Sequence, residues 1–240
     1  MKNATETVRL NVFLSRHGVC SRRDAMQFVL QGRVRIAGAV VREPSSPVAM
    51  TAEDIAVDGK LVKAEKYSYI MLNKPAGYTT TKSDRYAEKV VYELLPPEYR
   101  QLPTAGRLDQ DSEGLLLFTN DGDVNLILTH PRYNADKVYV VVMRGELTRE
   151  EKRQIESGVI VEGKKTAPAR ISDVVIKNGQ TQARIKIHEG RKRQVRRMFA
   201  AVGHEVIKLV RMSQGPLVLG NLAVGKWRHL TAAEVKALKI

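Results

Sequence analysis

The chain is 240 residues long, 43% apolar and 28% charged, enough for one large domain or two smaller ones with a core in each. Forty Lys and Arg against 26 Asp and Glu give a formal charge of +14, a field that gathers polyanions, with nucleic acid the first suspect. A single cysteine, Cys20, excludes an internal disulfide; five scattered histidines lack metal-ligand spacing, and no apolar run reaches about 18 residues. The expectation is a cytoplasmic protein with no structural metal, no membrane contact and an inert thiol.

The basic charge is not spread evenly. Residues 8 to 42 hold seven arginines against one acid, Asp24, and residues 184 to 197 hold five arginines and two lysines against Glu189. Each stretch carries +6, so together they supply 12 of the 14 net charges. An evenly basic, solubilising surface would not cluster in this way, and RNA or DNA binding is the reading that does.

In chain order, Arg9 to His17 reads as a short helix closed by Gly18, and Ser21 opens a second, with Asp24 three residues on in a capping-box spacing and Gly32 at its end. RVRIAGAVV then reads as a strand, a tight turn at Ala37-Gly38 and a return strand. Residues 8–60 are expected to form a helix-helix-strand module whose helix surfaces carry Arg16, Arg22, Arg23 and Arg33 for RNA. Residues 61–66, charged and without strong periodicity, are the expected linker.

From Tyr67 to residue 240 the pattern is long strands separated by isolated helices. YSYIMLN, GLLLFTN, KVYVVVMRG, ARISDVVI, TQARIKIH and EVIKLVRM are strand-like. Helices fit Asp121 to Leu128, Thr148 to Glu156 and Arg191 to Val202. In the last, Val195, Met198, Phe199 and Val202 follow the spacing of one buried face; Arg193 and Arg197 point away from it, toward phosphates, and Arg196 lies at its border, toward a cleft. The fold class expected is α+β, with a largely antiparallel sheet.

The chemistry narrows by exclusion. No GxxxxGK[ST] loop and no Gly-rich strand-to-helix turn provide for a nucleotide or dinucleotide, and no Cys/His cluster provides for a zinc deaminase, so any reaction is expected to need no cofactor. The stretch AGRLDQDSEGLLLFTNDGD places Asp109, Asp111 and Glu113 on alternate residues, on one face if the segment is extended. Asp109 follows Arg107 by two residues; a cation that close keeps a carboxylate ionised as nucleophile or base. The same residues also suit a turn cap and a surface ion pair, and the residues alone leave both readings open.

That stretch resembles the catalytic motif of the RsuA/RluB/RluE/RluF family of pseudouridine synthases: GRLD, two residues, Ser or Thr, one residue, GLLL, then T-x-DG. KVYVV at 137–141 is similar to the family's K-x-Y-x-V strand, EGRKRQVRRMFAAVGHEVIKLVR to its third motif, and GPLVLGNLAVGKWRHLT to its C-terminal signature. VRLNVFLSRHGVCSRRDA resembles the S4 RNA-binding domain that precedes the catalytic domain in most members, with Val12 where many have Lys. The resemblance implies isomerisation of a uridine in ribosomal RNA, more often of the large subunit, by a monomer without a protein partner. It makes Asp109 the catalytic aspartate, Tyr139 the residue stacked on the target base and Arg196 the cation paired with the aspartate. Arg107, Lys137, Arg191, Arg193 and Arg197 become the substrate-binding set. The rivals are a non-catalytic RNA-binding or ribosome-assembly factor and an RNA N-glycosylase that releases free uracil.

Overall fold

The computed structural model describes residues 7–63, 67–82 and 88–238. The chain divides between Tyr67 and Ser68 into two units.

In the first unit β1 (Thr7–Arg9) runs directly into α1 (Leu10–Arg16), and α2 (Arg22–Leu30) follows, with the Ser21 hydroxyl accepting from the Asp24 N–H at 3.2 Å. β2 (Val34–Ile36) and β3 (Ala39–Val41) form a hairpin turned by Ala37 and Gly38, both at positive φ, the geometry that matches strand twist in a two-residue turn. β4 (Pro47–Ala49) returns to pair with β1, and β5 (Ile55–Val57) and β6 (Lys60–Leu61) complete an antiparallel sheet in the order β3-β2-β5-β6. Leu10, Phe13, Leu14, Ala25, Val29, Val34 and Ile55 are fully buried between helices and sheet. Leu61 pairs in β6 and Val62 donates to the Ile55 carbonyl at 2.8 Å, so the start of the expected linker is sheet; residues 64–66 lie outside the described residues.

The second unit runs β7 (Tyr69–Lys74), β8 (Glu113–Thr119), α3 (Gly122–Thr129), β9 (Lys137–Arg144), α4 (Arg149–Ser157), β10 (Ile160–Val161), β11 (Lys164–Lys165), β12 (Arg170–Lys177), β13 (Gln180–Ile187), α5 (Gln194–Ala200), β14 (Val206–Gln214), β15 (Leu217–Val218), β16 (Trp227–His229) and α6 (Ala232–Ala237). Its main sheet has the order β12-β13-β9-β14-β8-β7-β16, with β15 beside β14. The fold is α+β: every pair in that sheet is antiparallel except β14 with β8. β8 is buried on both faces, which explains its unbroken run of apolar residues. Leu116 and Phe118 pack with Val195, Met198 and Phe199 of α5 on one side, and Leu115 and Leu117 with Val124 and Leu128 of α3 on the other.

Two stretches of the second unit also differ from the sequence reading in their elements. α5 spans Gln194–Ala200 rather than Arg191 to Val202, because Arg193 takes φ +54 and breaks the helical path before it. β16 and α6 have no strong period in the sequence; α6 is set by Thr231 and Glu234, which cap its first turn reciprocally.

Candidate active site

The loop before β8 is fixed on both sides of Asp109. Upstream, the Ala105 N–H donates to the Leu117 carbonyl at 2.8 Å, and the Thr80 hydroxyl donates to the Leu108 carbonyl at 2.7 Å. Downstream, the Ser112 N–H donates to the Asp109 carbonyl at 3.1 Å and Gly77 N–H to the Gln110 carbonyl at 2.8 Å. Beneath the loop lies the fully buried Lys74, whose ammonium donates to the carbonyls of Asp109 (3.0 Å), Gln110 (3.3 Å), Ser112 (2.7 Å) and Pro75 (3.1 Å). Burial pushes the Lys74 pKa down to about 8, against the pull of Asp111, Asp109 and Glu113. A loop whose carbonyls share one buried donor has little freedom, as a reactive side chain requires of its support.

Because residues 105–112 form an irregular loop with a turn at Gln110-Asp111 rather than a strand, the three alternate acids diverge. Asp111 accepts both terminal nitrogens of Arg193, at 3.0 and 2.8 Å, and lies 3.2 Å from Arg196 Nε. Partial burial raises its pKa, but the Arg193 hydrogen bonds and the two guanidinium charges outweigh this and hold it below the usual carboxylate range. Glu113 faces Lys208 at 3.4 Å. Among the described residues the Asp109 carboxylate has no hydrogen bond or ion pair, and it lines a cavity of about 540 Å³, within the range of nucleotide-sized sites.

Arg107, Lys137, Tyr139, Arg191 and Arg193 line the same cavity as Asp109; Arg196 and Arg197 do not. Tyr139 is 8% exposed and sits on β9, where alternate residues from Lys137 to Met143 are buried. Lys137 donates to the carbonyls of Ala135 (2.8 Å) and His188 (3.3 Å); burial lowers its pKa and Arg211 lowers it further. Arg107 is exposed at the mouth and makes no ion pair among the described residues.

Arg196 lies at the helix border, as its angle on α5 implied, but its contacts are the Asp111 carbonyl (2.8 Å), the Asp111 carboxylate and the Val206 carbonyl (2.8 Å), not Asp109. Burial lowers its pKa, with Asp111 and then Asp109 acting as opposing charges, so it feels Asp109 without touching it. Arg191 is held by the Lys164 and Lys165 carbonyls and by Glu189 at 3.2 Å, and Arg197 by Glu162, so neither is an idle cation. In the first unit Arg22 and Arg23 are exposed on α2, Arg16 is half-buried, and Arg33 is bound to Asp58 by hydrogen bonds of 3.0 and 3.2 Å and lies over the Phe28 ring.

Sequence reasoning missed Lys74 and Arg211. Arg211 is 2% exposed, lines the cavity, and stands opposite Tyr139 in the β14–β9 register. The signal was present: Leu209 and Arg211 alternate on one face of EVIKLVRM, and an arginine at a core-facing position of an apolar strand demands a reason. Gly114 makes the approach possible, because a Cβ there would stand 2.3 Å from the Arg211 carbonyl oxygen and 2.6 Å from its nitrogen. Among the described residues no group of three or more His, Cys, Asp or Glu is placed to hold a metal, and no helix is long and apolar enough to cross a membrane.

An unpartnered carboxylate beside a buried tyrosine, in a cleft bordered by arginines, suits chemistry on one nucleotide turned out of an RNA strand. The family model for RNA pseudouridylate synthase matches residues 68–201 and that for the S4 domain matches residues 8–54. The chain belongs to the RNA pseudouridylate synthase family: it is an RNA pseudouridine synthase with an N-terminal S4 domain. Ribosomal large subunit pseudouridine synthase B of Bacillus subtilis (strain 168) is 42% identical over 234 residues, covering 96% of this chain and 95% of that one. An uncharacterized RNA pseudouridine synthase of Aquifex aeolicus (strain VF5) is 39% identical over 232 residues, covering 96% and 93%. A crystal structure of a pseudouridylate synthase, 30% identical, covers 96% of this chain and 99% of its own with a TM-score of 0.69.

Proposed function

We propose that Asp109 is the catalytic aspartate, that Tyr139 stacks on the target uracil, and that the substrate is a uridine of ribosomal RNA, in the large subunit. The observation that carries the assignment is the bare Asp109 carboxylate in the cleft, while Asp111 and Glu113 are committed to cations. Uridine and pseudouridine contain the same atoms, so the N1–C1′ bond breaks, the uracil turns, and C5 bonds to C1′ with transfer of one proton from C5 to N1. The carboxylate serves this by attack at C1′, by addition to the ring, or by removing a sugar proton. Extrusion of the base costs a few kcal/mol, offset by stacking on Tyr139 and by phosphate contacts at Arg107, Arg191 and Arg193. Arg197 and Arg196 act from outside the cavity wall, Arg196 through Asp111 rather than by pairing with Asp109. Arg22, Arg23 and Arg16 grip flanking RNA, with Arg33 tempered by Asp58. The protein works in the cytoplasm as a monomer with RNA or a pre-ribosomal particle as its partner.

The large-subunit target is supported by the likeness to the Bacillus subtilis large-subunit enzyme. Asp109→Asn, nearly isosteric, is expected to abolish pseudouridine formation and leave RNA affinity within a few-fold; normal turnover by this variant sinks the assignment, and release of free uracil by the parent protein makes it a glycosylase instead. Carbodiimide-dependent reverse-transcription stops in ribosomal RNA, with and without the gene, identify the uridine.

A further inference from the structure

We propose that Arg211 and Lys137 form a cationic floor under the target uracil and stabilise the negative charge that the base acquires when its N1–C1′ bond breaks. This rests on the reading of the Asp109 cleft as the place where that bond is broken, and adds to it a counter-charge that the aspartate cannot supply.

The anomaly is two buried cations without a carboxylate. Arg211 is 2% exposed and Lys137 9%. Arg211 Nε donates to the Leu115 carbonyl at 2.8 Å, while its Nη2 is buried with no hydrogen-bond partner among the described residues. The Lys137 ammonium has two carbonyl acceptors and a third proton to spare. Apart from Asp109, which lines the same cavity but is bonded to neither cation, the neighbouring acids are taken: Asp136 by Lys186 at 2.6 Å, Asp111 by Arg193 and Arg196, Glu113 by Lys208, and Glu189 by Arg191. A buried charge without a partner is strongly destabilising, and two such charges near enough to oppose each other are worse. Strain of this kind is retained where the missing partner is a ligand or a transition state.

Position says which part of an RNA that partner is. Arg211 faces Tyr139 directly across the β14–β9 register, and Lys137 is two residues before Tyr139 on the same face of β9. The three side chains therefore share one face of the sheet, and all three line the cavity. The more exposed cations, Arg107, Lys192 and Arg193, are at the mouth, where a sugar-phosphate backbone passes. What reaches a buried floor is the extruded base. On heterolysis the N1–C1′ electron pair goes to N1 and spreads to O2 and O4, so the leaving base is an anion until C5 bonds to C1′; the proton on C5 then moves to N1.

The test uses the full chain with Arg211→Met, Lys137→Met and Arg211→Lys, on RNAs carrying either uridine or 5-fluorouridine at the target. Glycosidic cleavage is followed in single turnovers at saturating enzyme, as loss of the starting nucleoside from digested RNA. Each Met variant is expected to cleave uridine about 10²- to 10³-fold more slowly, the usual effect of removing one preorganised donor. Dissociation constants should stay within about threefold, and the dependence of log affinity on log salt should be unchanged. The deficit should shrink with 5-fluorouridine, since the fluorine withdraws the same charge, and Arg211→Lys should recover part of the rate. Thermal midpoints of the Met variants should hold or rise, because an unpaired buried charge has been replaced by an apolar chain.

A fall of about 0.7 to 0.9 in the salt slope with the saturating rate retained makes the partner a phosphate and overturns the proposal. An equal deficit on both bases, or a lowered midpoint with Arg211→Lys as slow as Arg211→Met, assigns Arg211 to structural support and overturns it equally. The Asp109→Asn experiment fails independently: an inactive Asp109→Asn beside a fully active Arg211→Met refutes the floor alone.

Discussion

At the scale of single residues, three neighbouring acids divide their labour, and the division comes from a turn. In an extended segment Asp109, Asp111 and Glu113 would share a face; the turn at Gln110-Asp111 sends Asp111 to α5 and leaves Asp109 in the cleft. Asp111 then does two jobs, tying the loop to α5 and offsetting the charge of the Arg193 and Arg196 guanidiniums. These jobs oppose each other in solution. Asp111→Ala is expected to lower the single-turnover rate by about 10- to 100-fold, as the loop loses its registration, while RNA affinity holds or rises as Arg193 and Arg196 are freed. Filter binding and rapid-quench rates on one preparation check this; parallel losses of rate and affinity would argue instead that the loop is grossly disordered. The same pair explains Arg193: its φ of +54 is costly for a non-glycine residue, and the two hydrogen bonds to Asp111 hold it there.

At the scale of elements, most of the second unit was legible because its strands and capped helices carry strong local signals. Thr148 opens α4 and pairs with Glu151, both halves of the capping box being present. Thr148→Ala should cost about 1 kcal/mol. Glu151 is held down at about pKa 2 by hydrogen bonds from the Thr148 backbone and hydroxyl and from His204. As an acid whose folded pKa is depressed, it contributes stability that is complete above its unfolded value of about 4.3 and is lost as pH falls through about 2. Glu151→Gln should therefore lower the urea midpoint at pH 6 and make little difference at pH 2. What was not legible is pairing between distant strands. Nothing local in GLLLF or VIKLVR announces that β8 and β14 lie side by side in parallel, and so nothing local places Arg211 under the site. Gly114→Ala tests that pairing. With φ +103 and Arg211 backbone atoms inside 3 Å of the new Cβ, a loss of about 2–6 kcal/mol is expected in chemical denaturation, together with loss of activity.

At the scale of the whole molecule, the clustered charge read from the sequence is carried by both units, yet much of it is spoken for. Arg33, Arg191, Arg193, Arg196 and Arg197 each have an acidic neighbour, so the count of arginines overstates the cations available to RNA. Arg22 and Arg23 remain exposed on α2. Replacing both by Ala should flatten the dependence of log affinity on log salt by about 0.7 to 0.9 for each phosphate no longer neutralised, with the RNA concentration for half-maximal rate rising accordingly. An unchanged slope would move the RNA-binding surface off α2. The clefted unit has a further property that follows from the β8–β14 pair. Val210 and Arg211 reach Glu113 and Gly114 across nearly a hundred residues of intervening chain, and the cavity draws on residues from Gly106 to Gln214. During synthesis the S4 domain is therefore complete before the cavity can form. At about 5–20 residues per second, the stretch from Tyr67 to Gln214 takes on the order of ten to thirty seconds, during which a nascent chain carries the S4 domain without the cavity.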